Sequence, residues 1–229
     1  MTSSLAIFAD ETYPAGNGSY PFRFGAIGCE EGAFEAAAEP LWHRLAQEKR
    51  NRVDWVLRFI ERARALAVVS TVDAARFPLQ RGCRHELRDI GSISRADHVW
   101  SVGIGFTFAA TLAQLASADR VPSSVHLLMD AKALREKHWD AMESSLRRAL
   151  EAALLKQSSI SAELVSIARI PKSERPGTWR RLGSELAHLV TRLPDFGVTP
   201  RPGTYLELDL SKPVEKNVAL SLALPQAAT

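Results

Sequence analysis

Leu5-Ala6-Ile7-Phe8-Ala9 runs directly into Asp10-Glu11-Thr12. Five consecutive apolar residues, followed by a Tyr13–Ser19 stretch rich in Pro, Gly and Asn, read as a short buried strand closed by a turn. A carboxylate at the tip of such a strand is costly to desolvate unless it meets a cation, a donor or a substrate. Asp10 is therefore a candidate site residue. If the strand persists through it, Glu11 must point to the opposite face, because side chains alternate.

More than a hundred residues later the arrangement recurs: Ser124-Val125-His126-Leu127-Leu128-Met129 reads as a buried strand and stops at Asp130. Two strands that each end in Asp suggest neighbours sharing a metal ion. Asp130 has an equally good reading as the N-cap of a following helix.

Working outward, Phe22–Gly28 reads as a second strand, antiparallel to the first across a longish loop. Glu31–Glu48 is helical in pattern with a break expected at Pro40, and Val53–Arg64 has one apolar stripe. Leu66–Val72 is β-branched and reads as a third strand. Residues 73–97 form a variable excursion with Pro78, Gly82 and Gly91. An amphipathic helix is expected over Ala133–Leu155, a strand over Ala162–Ile170 and a helix over Thr178–Leu193. A strand, Tyr205–Leu210, and a terminal helix from about Pro213 to Leu224 complete the pattern. Strands first, then helices interleaved with strands, predict one α/β domain over 1–229, a mixed sheet of five or six strands flanked by helices.

Composition agrees with an ordinary folded chain: of 229 residues 46% are hydrophobic and 24% charged. Cys29 and Cys83 form no CxxC pair, so neither a disulfide framework nor a structural zinc site is indicated. The opening has no basic segment before its first acid, which reads against a secretory signal and for a reducing cytoplasm. Val99–Ala118 carries no charge, yet its Ser, Thr, Gly and Gln content reads as a buried helix rather than a membrane span. The net charge is +3. Arginine is crowded between Lys49 and Arg64, at Arg147-Arg148 and at Arg180-Arg181, which suits either a phosphate backbone or a solvated helix face.

Other chemistries lack their signatures. Cys83-Arg84-His85-Glu86-Leu87-Arg88-Asp89 has no second His at the HExxH position, Gly103-Ile104-Gly105 lacks its third glycine, and there is no phosphate-binding GxxxxGK[ST] loop or GxSxG elbow. His126, between Val125 and Leu127, reads as a satisfied core histidine.

The opening IFADET, its loop and FRFGAIG resemble the domain of unknown function 3800 family. Its members begin with a strand ending Asp-Glu-Ser and are similar to the ribonuclease H-like superfamily; here Thr12 stands where Ser is usual. Gln47-Glu48-Lys49 before Val53-Asp54-Trp55 is similar to that family's Glu-Leu-Lys-Trp region, and VHLLMD resembles its later Asp-terminated strand. The resemblance implies an acid cluster of Asp10, Glu11, Glu48 and Asp130. The family's C-terminal Asp is replaced here, Val218 falling near its position, so Glu215 or Asp209 would have to substitute.

The resemblance also implies a function: a nuclease or related phosphoryl-transfer enzyme dependent on Mg2+ or Mn2+, with water activated by the ion and nucleic acid as substrate. The alternative is a degenerate ribonuclease H-like binding or assembly subunit, in a bacterial defence or mobile-element setting, with a second copy or another protein as partner across Val99–Ala118. A small-molecule enzyme using a carboxylate pair is a third class.

Overall fold

The computed structural model describes residues 4–12, 23–45, 52–72, 95–115, 123–130, 139–140, 143–144, 146–147, 165–175, 178–197, 201 and 203–210. Six strands form one sheet: β1 (Ser4–Thr12), β2 (Arg23–Glu30), β3 (Leu66–Thr71), β4 (Ser124–Asp130), β5 (Val165–Ile170) and β6 (Tyr205–Asp209). Their order is β5-β4-β1-β2-β3-β6. β1, β2 and β3 form an antiparallel meander, while β4 lies parallel to β1, β5 to β4 and β6 to β3. Five strands thus point one way and only β2 opposes them. The expected mixed α/β sheet flanked by helices is what the chain forms.

β1 is central because it is apolar on both sides. Leu5, Ile7 and Ala9 pack beneath helix α3 (Arg95–Leu115), together with Phe24, Val68, Val125 and Leu127. Ala6 and Phe8 face α1 (Glu31–Leu45), α2 (Arg52–Ala63) and α4 (Trp179–Val190). A strand buried on two faces reads as a continuous hydrophobic run rather than an alternating one. Only past Ala9 does burial fall away.

α3 is the uncharged segment, entered four residues earlier than the sequence pattern predicts. Val99, Trp100, Ile104, Phe108 and Leu112 are buried. Its polar residues are absorbed internally: Thr107 Oγ1 lies 2.7 Å from the Gly103 carbonyl and 2.8 Å from Ser70 Oγ, and Thr111 donates to the Thr107 carbonyl. Such back-bonding lets hydroxyls sit in a core helix. α3 is core against β1, β2 and β3, not an open oligomer face. Among the described residues no helix is long and apolar enough to cross a membrane.

The expected break at Pro40 does not occur; α1 continues through it to Leu45. Proline removes one helical hydrogen bond, but Pro40 is exposed, and Phe34, Ala37, Ala38 and Leu41 anchor the helix on both sides of it. Residues 139–140, 143–144 and 146–147 are helical, within the helix expected over Ala133–Leu155. Most of the 73–97 excursion, the remainder of that helix and the terminal helix from Pro213 lie outside the described residues.

Cys29 sits inside the α1 side of the core, 2% exposed. Burial, helped by the charge of Glu30, pushes its thiol up to about 12. The thiolate is the reactive species, so in a Cys83→Ser variant a thiol reagent at mildly alkaline pH should label nothing in the folded protein and one cysteine in urea. Labelling of the native variant at the rate of the unfolded one would contradict this packing.

Candidate functional site

The last paired residues of β1 and β4 are Ala9 and Met129, so Asp10 and Asp130 are the next step on two hydrogen-bonded parallel strands. Phe8 and Leu128 share the α4-side core. Because side chains two apart point the same way, both aspartates project from that face. Neighbouring strands are about 4.8 Å apart, so the two acids stand side by side at one end of the sheet.

Each meets a basic side chain from α4. Asp130 Oδ1 accepts from Arg181 Nη1 at 3.0 Å, and Asp10 Oδ2 lies 3.0 Å from His188 Nδ1. Asp10 Oδ1 also accepts the backbone N–H of Glu11 at 2.8 Å. Arg181 and His188 are seven residues apart, two helical turns, and so share one stripe of α4. That stripe runs along the strand tips because α4 is seated tightly. Thr178 caps its start, accepting from Arg181 N. Gly183 leaves room for the Phe8 ring, and Gly25, the cross-strand partner of Asp10, lies directly under the backbone of Ala187 and Thr191.

The far end of α4 is tied down beside Asp10. Thr191 Oγ1 donates to the His188 carbonyl, so the Thr12 hydroxyl donates to Thr191 Oγ1. Arg23 Nη1 reaches both the Thr191 carbonyl and Asp195, each at 2.9 Å. A cation at a helix C-terminus complements its exposed carbonyls.

His188 has its pKa raised above the ordinary 6.5, first by the hydrogen bond to Asp10, then by the charges of Asp10 and Glu185, against opposition from burial and Arg192. A group whose folded pKa exceeds its unfolded value stabilises the fold fully below the unfolded pKa and ceases to do so as pH rises through the folded one. The imidazole is 44% exposed, so the effect is modest. In urea unfolding, the wild-type advantage over His188→Gln should be largest near about pH 5.5 and shrink by about pH 9. An advantage independent of pH would contradict a charged His188–Asp10 pair.

The other predicted residues are dispersed. The strand does persist through Glu11, which projects to the α3 face and accepts from Trp100 Nε1 at 2.8 Å, with the sheet between it and Asp10. Asp209 ends β6, three strands from β1, a separation of about 14 Å at the usual spacing. Glu48 and Glu215 lie outside the described residues. His126 is no core histidine: it is 38% exposed and hydrogen-bonds Ser166 on β5.

Among the described residues no group of three His, Cys, Asp or Glu is arranged to hold a metal ion. Two adjacent carboxylates still suit one hard divalent cation, which commonly takes one or two protein carboxylates and completes its shell with water and phosphate oxygens. A two-ion cage is not furnished by the described residues. His188 was not singled out in the sequence; its only signal is the i, i+7 spacing from Arg181 on an amphipathic helix.

No protein-family model matches the chain, and no curated protein resembles it in sequence. Its backbone is similar to a solved structure of ribonuclease HII from Archaeoglobus fulgidus in complex with PCNA, at 12% identity and a TM-score of 0.39, over 88% of this chain and 84% of that one. Similarity at that level places the chain in no family.

Proposed function

We propose that this protein is a metal-dependent nuclease or related phosphoryl-transfer enzyme with a ribonuclease H-like sheet, akin to the domain of unknown function 3800 family and working in the cytoplasm. One observation carries this reading: Asp10 and Asp130, remote in sequence, end adjacent parallel strands and project from the same face. Together they would hold one Mg2+ or Mn2+. The ion, when bound, supplies Lewis-acid stabilisation of the phosphate and activates the attacking water.

The chain's own groups do the remainder. Arg181, beside Asp130, offers guanidinium hydrogens to a phosphate oxygen, and exposed Arg180 extends the positive edge along which a nucleic-acid backbone would lie. His188 holds a proton at Nδ1 against Asp10 Oδ2, which keeps the imidazole oriented at the edge of the site. The test is incubation with single- and double-stranded DNA and RNA in magnesium or manganese. Cleavage of at least one substrate that disappears in Asp130→Asn is the expected result; no cleavage in any arm would contradict the enzymatic reading.

A second reading is favoured by the same ion pairs. Arg181 and His188 already engage both carboxylates and pin α4 to the sheet, which is what a degenerate binding or assembly subunit would retain. In that case nucleic acid or a protein partner binds without being cut, and Asp10→Asn weakens the fold rather than a reaction.

A further inference from the structure

At the opposite end of the strands, where α2 and α3 stop and β3 and β6 begin, the described residues line an open cavity of about 510 Å³. Leu57, Ile60, Leu66 and Leu115 give it an apolar floor, and Arg64 and Arg201 stand on its rim. Leu66 is level with Gly28 and hence with Ile7, three residues back from Asp10 and two strands away, so the cavity is separate from the two aspartates. Its size is that of a pocket for a small organic ligand.

The backbone at the rim adds an independent observation. Ala65 N–H closes back on the Ile60 carbonyl at 3.0 Å, which leaves Arg64 at the position after α2 with φ +51°. Among the described residues Arg64 is the one non-glycine with positive φ. Helices that end this way favour glycine there, because a Cβ is strained in the left-handed region. Arg64 thus places a long cationic side chain at a strained backbone position on the lining of the cavity.

Arg201 comes from a different segment and pairs with Glu61 at 3.2 Å, both partners exposed. Such surface pairs are weak and readily exchanged. Two guanidiniums against one carboxylate leave the rim net positive. Two arginines on separate elements can share the oxygens of a tetrahedral phosphate, each through charge-assisted hydrogen bonds.

We propose that this cavity binds an organic phosphate of about mononucleotide size, its phosphate between Arg64 and Arg201 and its flat body over the leucines and Ile60. Calorimetry on the full chain with adenosine monophosphate, adenosine and inorganic phosphate tests it. The monophosphate should bind at least about tenfold more tightly than either fragment. Arg64→Gly should weaken it by about tenfold while raising the melting temperature by about 2–4 °C, since glycine relieves the left-handed residue. Arg201→Ala should weaken it similarly. No binding of the monophosphate at millimolar concentration, or unchanged affinity in both variants, would overturn the proposal. None of these outcomes depends on the carboxylate site being active.

Discussion

Asp10→Asn is expected to lower magnesium-dependent cleavage of nucleic acid by more than about 100-fold, since replacing even a supporting residue of a metal site costs about 10–100-fold. The amide keeps the size of the carboxylate and its oxygen can still accept the Glu11 N–H, so the end of β1 has no steric reason to move. What vanishes is the charge that faces His188 and would face the cation. Circular dichroism should therefore be unchanged and melting shifted by only a few degrees. A variant that is folded and cleaves at the wild-type rate would remove Asp10 from the chemistry.

Gly25→Ala should cause a large loss of stability, about 3 kcal/mol or more, equivalent to about 6–12 °C in melting temperature for a chain of this length. A Cβ at Gly25 would lie 2.7 Å from the Ala187 carbonyl oxygen, 2.7 Å from the Thr191 nitrogen and 2.8 Å from Thr191 Cγ2. Two of those three are backbone atoms, so no rotamer change relieves the contact; the end of α4 has to lift from the sheet. Because the same turn carries His188, its hold on Asp10 should loosen too. Gly32→Ala is the control, since nothing lies within 4 Å of its Cβ position, and alanine is the better helix former. Equal melting of Gly25→Ala and wild type would mean that α4 does not sit where the site requires it.

The tips of β1 and β4 were legible in the sequence because each apolar run stops abruptly at an acid, although Asp130 reads equally well as a helix N-cap. Alternation also placed Glu11 on the face away from Asp10, as Trp100 now marks it. Pairing is a different matter: nothing local to Leu5–Ala9 or Ser124–Met129 states that these strands are neighbours in parallel register, since that depends on contacts across more than a hundred residues. The same limit explains Asp209. Its alternating strand was readable, but its distance from β1 is set by β2 and β3 intervening. The apolar stripe of α4 was evident, whereas the roles of Arg181 and His188 depend on which way the helix crosses the sheet. Gly25 and Gly183, two unremarkable residues in the sequence, decide that crossing by permitting close approach. At Pro40 the local rule lost to tertiary packing, because one missing hydrogen bond on an exposed turn is outweighed by four buried anchors.

The most direct measurement is calorimetric titration of manganese into the wild type, Asp10→Asn and Asp130→Asn. One ion should bind the wild type, and either substitution alone should abolish that binding, as expected of two carboxylates that share a cation. Undiminished manganese binding in both variants would contradict the shared site, whatever else the protein does.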